Sequence, residues 1–520
     1  MNEIESRAQA LEAFVNEIGV SEIATKIQTI GNREFLKFIV GRESPLFSYA
    51  LYNAQARLSD DNVYKGALGL ETNSTSNFPN SVEASALLTL LTRSTKEVSQ
   101  GNSFRGFTVP YVPFQKREDH QLAQPASHVV RGRRGVGKST LIRRADTLLR
   151  SSSAVVAVLD SESYTTLRGD DLKRELLYDI CLHLANSPSN APLVPAEFTA
   201  RDDLSRVGAD IASGKISLDR APVAIKRVLS ALTRATGGNV YVFLDDFHLI
   251  DRDSQPEILQ YINAALKGAN AWLKVAGITS LLNIYSAKDQ KGIQIPGDAQ
   301  YVPLDLTLEN PEAAEAHLRA ILEQFLEAVG YSMNSSVMAE GAFRRLAWAN
   351  AGVPRDFLQM FARSLEHANR NRHAAVTLSD VNVAIGEFGQ QKMQELEFDA
   401  RNVAGSLRET LEMLEALCLD KSKINAFLVR SGNSRERAIV QILSDLRLVH
   451  LIHQSITPDK AGQRFEAFIL DYSLFTGFRR RPNIKEMLPK QSQFKASELR
   501  ALPKVLPGFF NSVATGADPA

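Results

Sequence analysis

Short apolar runs alternate with helical patterns through the middle of the chain. The runs are typical of buried strands and lie at Val129–Val130, Ala154–Leu159, Gly238–Leu244, Trp272–Thr279 and Tyr301–Leu306. Apolar residues at helical spacing lie between them, around Leu172–Leu184 and Val223–Leu232. Strands that alternate with helices form a parallel sheet with helices on both faces. The pattern therefore predicts an α/β core built on a doubly wound parallel sheet.

Helical spacing dominates both flanks of this core. Before it, apolar residues recur with a helical period at Ala8–Ile18 and Val82–Leu91, separated by the polar stretch Asp60–Asn80. After it, Pro311–Ala328 and Ser336–Ala349 show the same period. We therefore expect a mainly helical N-terminal region before the core and a helical domain after it.

A third pattern follows towards the C-terminus. Apolar spacing predicts three helices, at Leu407–Leu419, Lys421–Val429 and Ser434–Arg447. Two strands follow, Val449–Ile456 and Arg464–Leu470, joined by a turn that contains proline and glycine. Three helices and a hairpin are the elements of a winged helix, so this region is predicted to be a winged-helix domain.

Composition and charge narrow the class of protein. Of the 520 residues, 44% are hydrophobic and 23% are charged, as in ordinary globular proteins. No apolar run approaches the roughly 18 residues that span a membrane, and the N-terminus has no signal pattern, so we expect a cytoplasmic protein with no membrane role. Cys181 and Cys418 lie in apolar helical patterns and are expected to be buried and reduced. A net charge of +1 excludes a globally basic nucleic-acid coat but leaves room for a local basic face.

The turn after the first strand carries the most specific motif in the chain. Gly132, four residues and then Gly137-Lys138-Ser139 match a phosphate-binding loop between a strand and a helix. Glycines let backbone N–H groups approach a phosphate, Lys138 can reach the β- and γ-phosphates, and Ser139 offers its hydroxyl to Mg²⁺. The sequence therefore predicts a site for ATP and Mg²⁺. Its residues are Gly132, Arg133, Arg134, Gly135, Val136, Gly137, Lys138, Ser139 and Thr140.

Two carboxylates follow the third apolar run. Asp245 and Asp246 come directly after Gly238–Leu244, at the end of a parallel strand where ligands bind. Asp245 is the candidate that holds the Mg²⁺ shell together with Ser139, and Asp246 is the candidate that polarises the attacking water. We therefore predict phosphoryl transfer from ATP to water.

These motifs resemble those of initiator-type (origin-recognition) AAA+ ATPases over residues 106–475. The resemblance implies that Arg117-Glu118 opens the domain beside the adenine pocket, and that Thr279 reads the γ-phosphate. Arg355, in the lid-like motif Gly352–Leu358, would reach the same phosphate from a helix start. From the residues alone, Arg117-Glu118 could also be a solvated helix start and Thr279 an ordinary strand-end hydroxyl.

The resemblance also gives the expected order of domains. They are an N-terminal mainly helical region (1–105), an AAA+ P-loop ATPase core (106–308), a helical lid (309–400), a winged-helix domain (401–478) and a basic, partly irregular tail (479–520). The resemblance does not extend to the first segment or beyond residue 482.

Two departures from the initiator pattern keep a second function open. Asp246 stands where most AAA+ enzymes have a longer glutamate, which predicts slow hydrolysis. No arginine lies between Arg252 and Arg319, the usual window for a finger supplied by a neighbour in a homo-oligomer. Leu244-Asp245-Asp246 is also typical of STAND signalling ATPases, which use ATP or ADP as a latch and recruit an effector without binding DNA.

The predicted winged helix carries the candidate DNA contacts. Arg435 and Arg437 lie on its third predicted helix, and Lys460 and Arg464 lie at the hairpin tip, from which such a domain meets double-stranded DNA. Glu436 interrupts this basic face, so a domain that binds only protein remains an alternative. The leading hypothesis is an ATP-driven switch on DNA that forms a homo-oligomer and recruits a separate effector protein, in anti-phage defence or mobile-element biology.

Overall fold

The computed structural model describes residues 2–73, 77–96, 103–104, 106–152, 154–189, 192–399, 404–432, 434–457, 463–476, 483–487 and 494–511. The chain forms two compact units. The first unit combines Met1–Val112 with Leu306–Ala520, and the second is the intervening segment Pro113–Asp305. None of the helices in the described ranges is both long and apolar enough to cross a membrane.

The N-terminal part of the first unit mixes helices and strands. Its elements are α1 Glu3–Ile18, β1 Thr25–Ile30, β2 Arg33–Val40, α2 Pro45–Arg57, β3 Leu68–Thr72, α3 Val82–Lys96, β4 Ser103–Phe104 and β5 Phe107–Thr108. The helices predicted at Ala8–Ile18 and Val82–Leu91 are confirmed as α1 and α3. The sheet β1-β2-β3 was not predicted. Its sequence signal is the alternation of Leu36, Phe38 and Val40, which are buried on one face of β2.

The second unit holds the predicted parallel sheet. Its elements are α4 Glu118–Leu122, β6 His128–Arg131, α5 Lys138–Arg150, β7 Val155–Asp160, α6 Gly169–Ala185, α7 Pro195–Ala212, α8 Ala221–Thr236, β8 Val240–Asp245, α9 Gln255–Leu266, β9 Ala271–Gly277, β10 Tyr285–Ser286, β11 Lys291–Gly292 and β12 Gln300–Pro303. Five strands pair in parallel in the order β12-β6-β9-β8-β7. The doubly wound sheet is therefore confirmed, and the carboxyl ends of its strands lie along one edge.

The C-terminal part of the first unit begins with helices and ends with a second sheet. Its elements are α10 Pro311–Ala328, α11 Glu340–Ala349, α12 Pro354–Arg370, α13 Leu378–Asp399, α14 Ala404–Glu415, β13 Ala426–Arg430, α15 Arg435–Asp445, β14 Val449–Ile456, β15 Phe465–Leu470, α16 Ala496–Arg500 and β16 Lys504–Val505. The sheet order is β14-β15-β13-β16.

One predicted element of the winged helix is wrong. The segment Lys421–Val429 was expected to be a helix, but α14 ends in a π-helical turn, Ala416–Lys421, and the chain then forms β13. β13 pairs antiparallel with β15 and parallel with β16. A short run that is apolar at every position fits a buried helix and a buried strand equally well, and pairing on both sides decides for the strand. The predicted helix α15 and hairpin β14–β15 are present.

The N-terminal part and the C-terminal helices share one apolar core. α3 packs on α12 and α10. Polar contacts support this packing, because the Asn369 side chain donates to the backbone oxygen of Pro79 at 2.7 Å. The rings of Phe78 and Tyr331 lie 4.6 Å apart. The first 112 residues are thus built into the same unit as the predicted lid.

A buried ionic cluster joins α12 and α13 to the C-terminal sheet. Asp356, Lys392, Arg447, His450 and Asp471 are all at most 3% exposed. Asp471 Oδ2 accepts from Lys392 Nζ at 2.6 Å and lies 2.7 Å from His450 Nε2, while Arg447 pairs with Asp356. Burial raises the pKa of Asp471, but Lys392 and His450 outweigh this effect and hold the pKa below its usual range.

The helix predicted at Ser434–Arg447 ends earlier than expected. α15 ends at Asp445, and Arg447 lies beyond it with a positive φ of 66°. Its guanidinium is therefore committed to Asp356 and is not part of a DNA-facing surface. Cys181 and Cys418 are buried and free, as predicted.

Candidate nucleotide site

The loop between β6 and α5 has the conformation that its glycines predict. Gly135 and Gly137 have positive φ angles of 78° and 103°, which residues with a side chain rarely adopt. Gly132 is limited by space, because a Cβ there would lie 2.9 Å from Cγ2 of Val136. The loop leads directly into α5 at Lys138. The first N–H groups of that helix have no partner within the helix and can bind an anion.

Lys138 is held inside the loop. Its Nζ donates to the backbone oxygens of Gly132 and Arg133, both at 3.0 Å. An ammonium group held in this way can form charge-assisted hydrogen bonds with a phosphate, and its contact with the β- and γ-phosphates stays a prediction. The ring of Phe114 lies beside Gly137, since a Cβ on that glycine would be 3.5 Å from the ring. The adenine pocket near Arg117-Glu118 stays a prediction.

Arg133 has a structural contact at this site. Its backbone N–H and its Nε donate to Oδ1 of Asp305 at 3.0 and 3.1 Å. The side chain therefore anchors the loop to the segment that follows β12. The backbone carbonyl of Arg133 accepts from Lys138, so this backbone also helps to hold the loop. Nucleotide binding by Arg133 stays a prediction.

Asp245 and Ser139 fit a Mg²⁺ site. Their side chains are hydrogen-bonded to each other, and the backbone N–H of Asp246 donates to Asp245 Oδ1 at 2.9 Å. Burial and the neighbouring Asp246 carboxylate raise the pKa of Asp245 to about 6, against the opposing effects of Ser139 and Lys138. The described residues include no cluster of three or more His, Cys, Asp or Glu side chains suited to a metal. Mg²⁺ usually keeps several waters and binds phosphate oxygens of its nucleotide, so two protein ligands are enough for it.

Asp246 lies in a tight turn after β8. Its φ is 45°, an unusual value for a residue with a side chain, and its side chain is 42% exposed. His248 follows in the same turn, with Nδ1 3.8 Å from Oδ1 of Asp246. Burial lowers the pKa of His248 to about 3, and the cations of Lys138 and Arg134 add to this effect. The imidazole is thus neutral near pH 7.

Two residues of the site were not predicted, His248 and Arg143. Arg143 lies on α5, close enough to Asp245 and Asp160 that their charges support its protonation, although burial lowers its pKa. The spacing after Ser139 is a signal for it, because position i+4 of a helix lies on the same face as position i. The position of His248 depends on the turn at Asp246, which the sequence does not reveal.

Thr279, the predicted end of β9, lies just beyond the strand that the structure shows. β9 ends at Gly277, and Thr279 is half-buried in the turn that follows. β9 lies between β6 and β8 in the sheet, so this turn lies at the same edge as the phosphate loop and Asp245. The role of Thr279 as a sensor stays a prediction.

Arg355 belongs to the first unit. It lies in the first turn of α12 and is half-buried. The next residue, Asp356, belongs to the ionic cluster. Its approach to a γ-phosphate stays a prediction.

The candidate DNA contacts differ in their surroundings. Arg437 Nε pairs with Glu466 on β15 at 3.2 Å. Arg435 begins α15, and Arg464 is exposed immediately before β15. Lys460 lies outside the described residues. Binding of DNA by these side chains stays a prediction.

Comparison with known proteins defines the class of the second unit. Residues 118–266 match the family model described as AAA ATPase domain. This match spans α4 to α9 and includes the phosphate loop and both adjacent carboxylates. The second unit therefore contains an AAA-type P-loop ATPase domain, as the motifs predicted.

Initiator proteins are among the solved structures to which the chain is similar. The Aeropyrum pernix ORC1 protein in complex with DNA is 16% identical, with 70% of this chain and 91% of that chain covered and a TM-score of 0.35. Cdc6p from Pyrobaculum aerophilum is 12% identical, with 70% and 92% covered and a TM-score of 0.35. The Thermotoga maritima RuvB Holliday junction branch migration motor is 11% identical, with 55% and 77% covered and a TM-score of 0.29. No curated protein matches the sequence.

Proposed function

We propose that this protein binds Mg-ATP at the loop between β6 and α5 and hydrolyses it slowly. The observation that carries the proposal is the proximity of three groups: the Lys138 ammonium in the loop, the Ser139–Asp245 pair, and the carboxylate of Asp246 next to Asp245. Phosphoryl transfer needs an anion cradle, a metal site and a group that orients water. All three lie within one unit.

Each residue has a defined part in the proposed reaction. Loop N–H groups and Lys138 hold the phosphates. Ser139 and Asp245 would hold Mg²⁺, which would supply positive charge next to the phosphate oxygens. Asp246 orients a water and accepts one of its protons. The water oxygen bonds to the γ-phosphorus as the bond to the β-phosphate oxygen breaks, which gives ADP and phosphate. The side chain of Asp246 is one methylene shorter than that of glutamate, which supports a slow rate of ATP hydrolysis.

We further propose that nucleotide state controls contact with double-stranded DNA. Arg435 and Arg464, at the start of α15 and the base of the hairpin, are the candidate cations for a DNA backbone. The ionic cluster links α12, which carries Arg355, to the sheet beside α15. A shift of α12 would therefore move that sheet. In the same proposal, the protein assembles as a homo-oligomer and recruits an effector protein, in anti-phage defence or mobile-element biology.

One observation favours a second function, a STAND-type signalling scaffold. Arg437 is already paired with Glu466, which leaves less positive charge for a duplex. A scaffold would use ATP or ADP as a latch and recruit an effector without DNA. The slow hydrolysis expected with an aspartate at position 246 suits such a latch.

ATP turnover measured with and without duplex DNA tests the proposal. We expect slow hydrolysis that DNA accelerates. Lys138→Ala should weaken Mg-ATP binding about a hundredfold or more, because two or more charge-assisted hydrogen bonds are lost. Asp246→Asn should bind ATP and not turn it over. Lys215→Ala, an exposed lysine of the same unit, is the matched control.

Two outcomes would contradict parts of the proposal. Near-parental affinity of the Lys138→Ala variant in calorimetry would show that the site is wrongly assigned. A parental protein that hydrolyses ATP but neither binds duplex DNA nor responds to it, at any salt concentration, would leave the signalling scaffold as the function.

A further inference from the structure

We infer that His248 holds the attacking water together with Asp246 and so compensates for the short side chain of that aspartate. This inference rests on the proposed ATP hydrolysis. It assigns a role in the reaction to a residue outside the phosphate loop and the pair of adjacent carboxylates.

The turn after β8 directs His248 at Asp246. The left-handed backbone at Asp246 reverses the chain into a 3-10 turn, Phe247–Leu249, which is closed by a hydrogen bond from the Leu249 N–H to the Asp246 oxygen at 2.9 Å. Phe247 is fully buried and anchors the turn. Because the turn is fixed at both ends, His248 has little freedom to point elsewhere.

The imidazole of His248 has an unused polar atom at this point. The side chain is 8% exposed, and Nδ1 has no hydrogen-bond partner among the residues that the structure describes. A buried polar atom without a partner is costly, so its retention calls for an explanation. Its separation from Asp246 Oδ1, 3.8 Å, is too long for a direct hydrogen bond. One water can contact both atoms.

This water would lie on the side of the phosphate loop. His248 is near enough to Lys138 and Arg134 to feel both cations, and Lys138 lies over the loop carbonyls. A water between His248 and Asp246 is therefore close to where a γ-phosphate would bind. Two groups can therefore hold this water, the Asp246 carboxylate and His248 Nδ1. The aspartate side chain is too short to act alone, and the imidazole is too distant.

The chemistry needs no change in the charge of His248. Its neutral Nδ1 accepts one hydrogen bond from the water, and Asp246 accepts the proton that leaves as the water oxygen bonds to the γ-phosphorus. The bond to the β-phosphate oxygen breaks, and its electron pair leaves with ADP. A glutamate at position 246 would reach the water without help, so the need for His248 should depend on the length of that acid.

A double-mutant cycle tests this dependence. His248→Ala should lower kcat about tenfold with little change in KM, the effect of losing one hydrogen bond to the reacting water. In an Asp246→Glu background the same change should lower kcat by less than about twofold. Single-turnover rates at saturating Mg-ATP measure both effects.

Two conservative variants separate positioning from packing. His248→Asn keeps a polar atom near the place of Nδ1 and should retain most of the parental kcat, whereas His248→Gln places its amide nearer Nε2 and should behave like His248→Ala. His183→Asn, an exposed histidine on α6, is the matched control. Calorimetric ATP affinity reports whether each variant keeps its fold.

The outcomes distinguish this inference from the proposed function. If the parental protein does not hydrolyse ATP, the proposed function itself fails. If it does, equal losses from His248→Ala in the parental background and in the Asp246→Glu background overturn the role of His248. Equal rates for the His248→Asn and His248→Gln variants overturn it as well.

Discussion

Replacing Lys392 with methionine should destabilise the first unit by several kcal/mol. Lys392 and Arg447 balance the charges of Asp356 and Asp471 inside the ionic cluster. Methionine keeps the length and apolar packing of the lysine stem but removes its charge. The variant therefore removes the lysine partner of the buried Asp471 carboxylate and leaves it with His450 as its remaining ion-pair partner.

The expected magnitude follows from the geometry. At 2.6 Å between Lys392 Nζ and Asp471 Oδ2, the attraction is about 6 kcal/mol at an effective dielectric constant of about 20. Release of the ammonium to water in the unfolded chain offsets part of this gain. We expect a net loss of about 3–5 kcal/mol in the free energy of unfolding, the range found when one partner of a buried pair is removed.

Tryptophan fluorescence can measure this loss in the first unit alone. The chain has two tryptophans, Trp272 on β9 in the second unit and Trp348 on α11 in the first. In a Trp272→Phe background, urea unfolding followed by emission of the buried Trp348 reports on the first unit. Lys421→Met, at an exposed lysine of the same unit, is the control and should change stability by less than about 0.5 kcal/mol.

The pH dependence of this loss has a defined sign. The pKa of Asp471 is held below its usual value, so the cluster stabilises the folded state above the ordinary aspartate pKa of about 3.9 and loses this effect as pH falls. The difference between parent and variant should therefore narrow below about pH 4. A loss under about 1 kcal/mol at pH 7, or one equal to that of the control, would refute the reasoning.

Two other substitutions test the parallel sheet and the lid motif. Lys274 is buried, with its Nζ 2.8 Å from the Gln124 oxygen, and burial lowers its pKa to about 6. An unfolded lysine keeps its proton up to about pH 10.4, so stability of the second unit should rise with pH between about 6 and 10.4, by at most about 1.4 kcal/mol per unit. Lys274→Met should abolish that slope in urea unfolding followed by Trp272 emission at pH 7 and 9. Gly352→Ala should cost about 2 kcal/mol or more, because φ is 82° and a Cβ would clash with the Leu306 oxygen. Gly341→Ala, with nothing within 4 Å, should cost nothing measurable by Trp348 emission.

The phosphate site could be predicted from sequence because its signals are local. Gly132 to Ser139 are consecutive, and the apolar run before Asp245 identifies its strand without reference to any partner. β13 could not be predicted, because an apolar run such as Ala426–Arg430 becomes a strand only through pairing with β15 and β16. The role of Arg447 was missed for a similar reason, since its partner Asp356 is 91 residues away in the chain.

The turn at Asp246 could not be predicted from the sequence for a different reason. Nothing in Asp245-Asp246-Phe247-His248 requires a left-handed backbone at a non-glycine residue, so the contact between His248 and Asp246 has no sequence signature. Strained conformations of this kind often lie at functional sites.

The first unit is assembled from two separate stretches of chain, and this affects how the protein is made. When residues 1–112 leave the ribosome, the helices α10 and α12 on which α3 packs have not been synthesised. At a synthesis rate of about 5–20 residues per second, the apolar side of α3 stays exposed for on the order of tens of seconds. The second unit is continuous and can fold during that interval. Newly made chains should therefore depend on chaperones that shield the N-terminal segment until α10 and α12 have been synthesised.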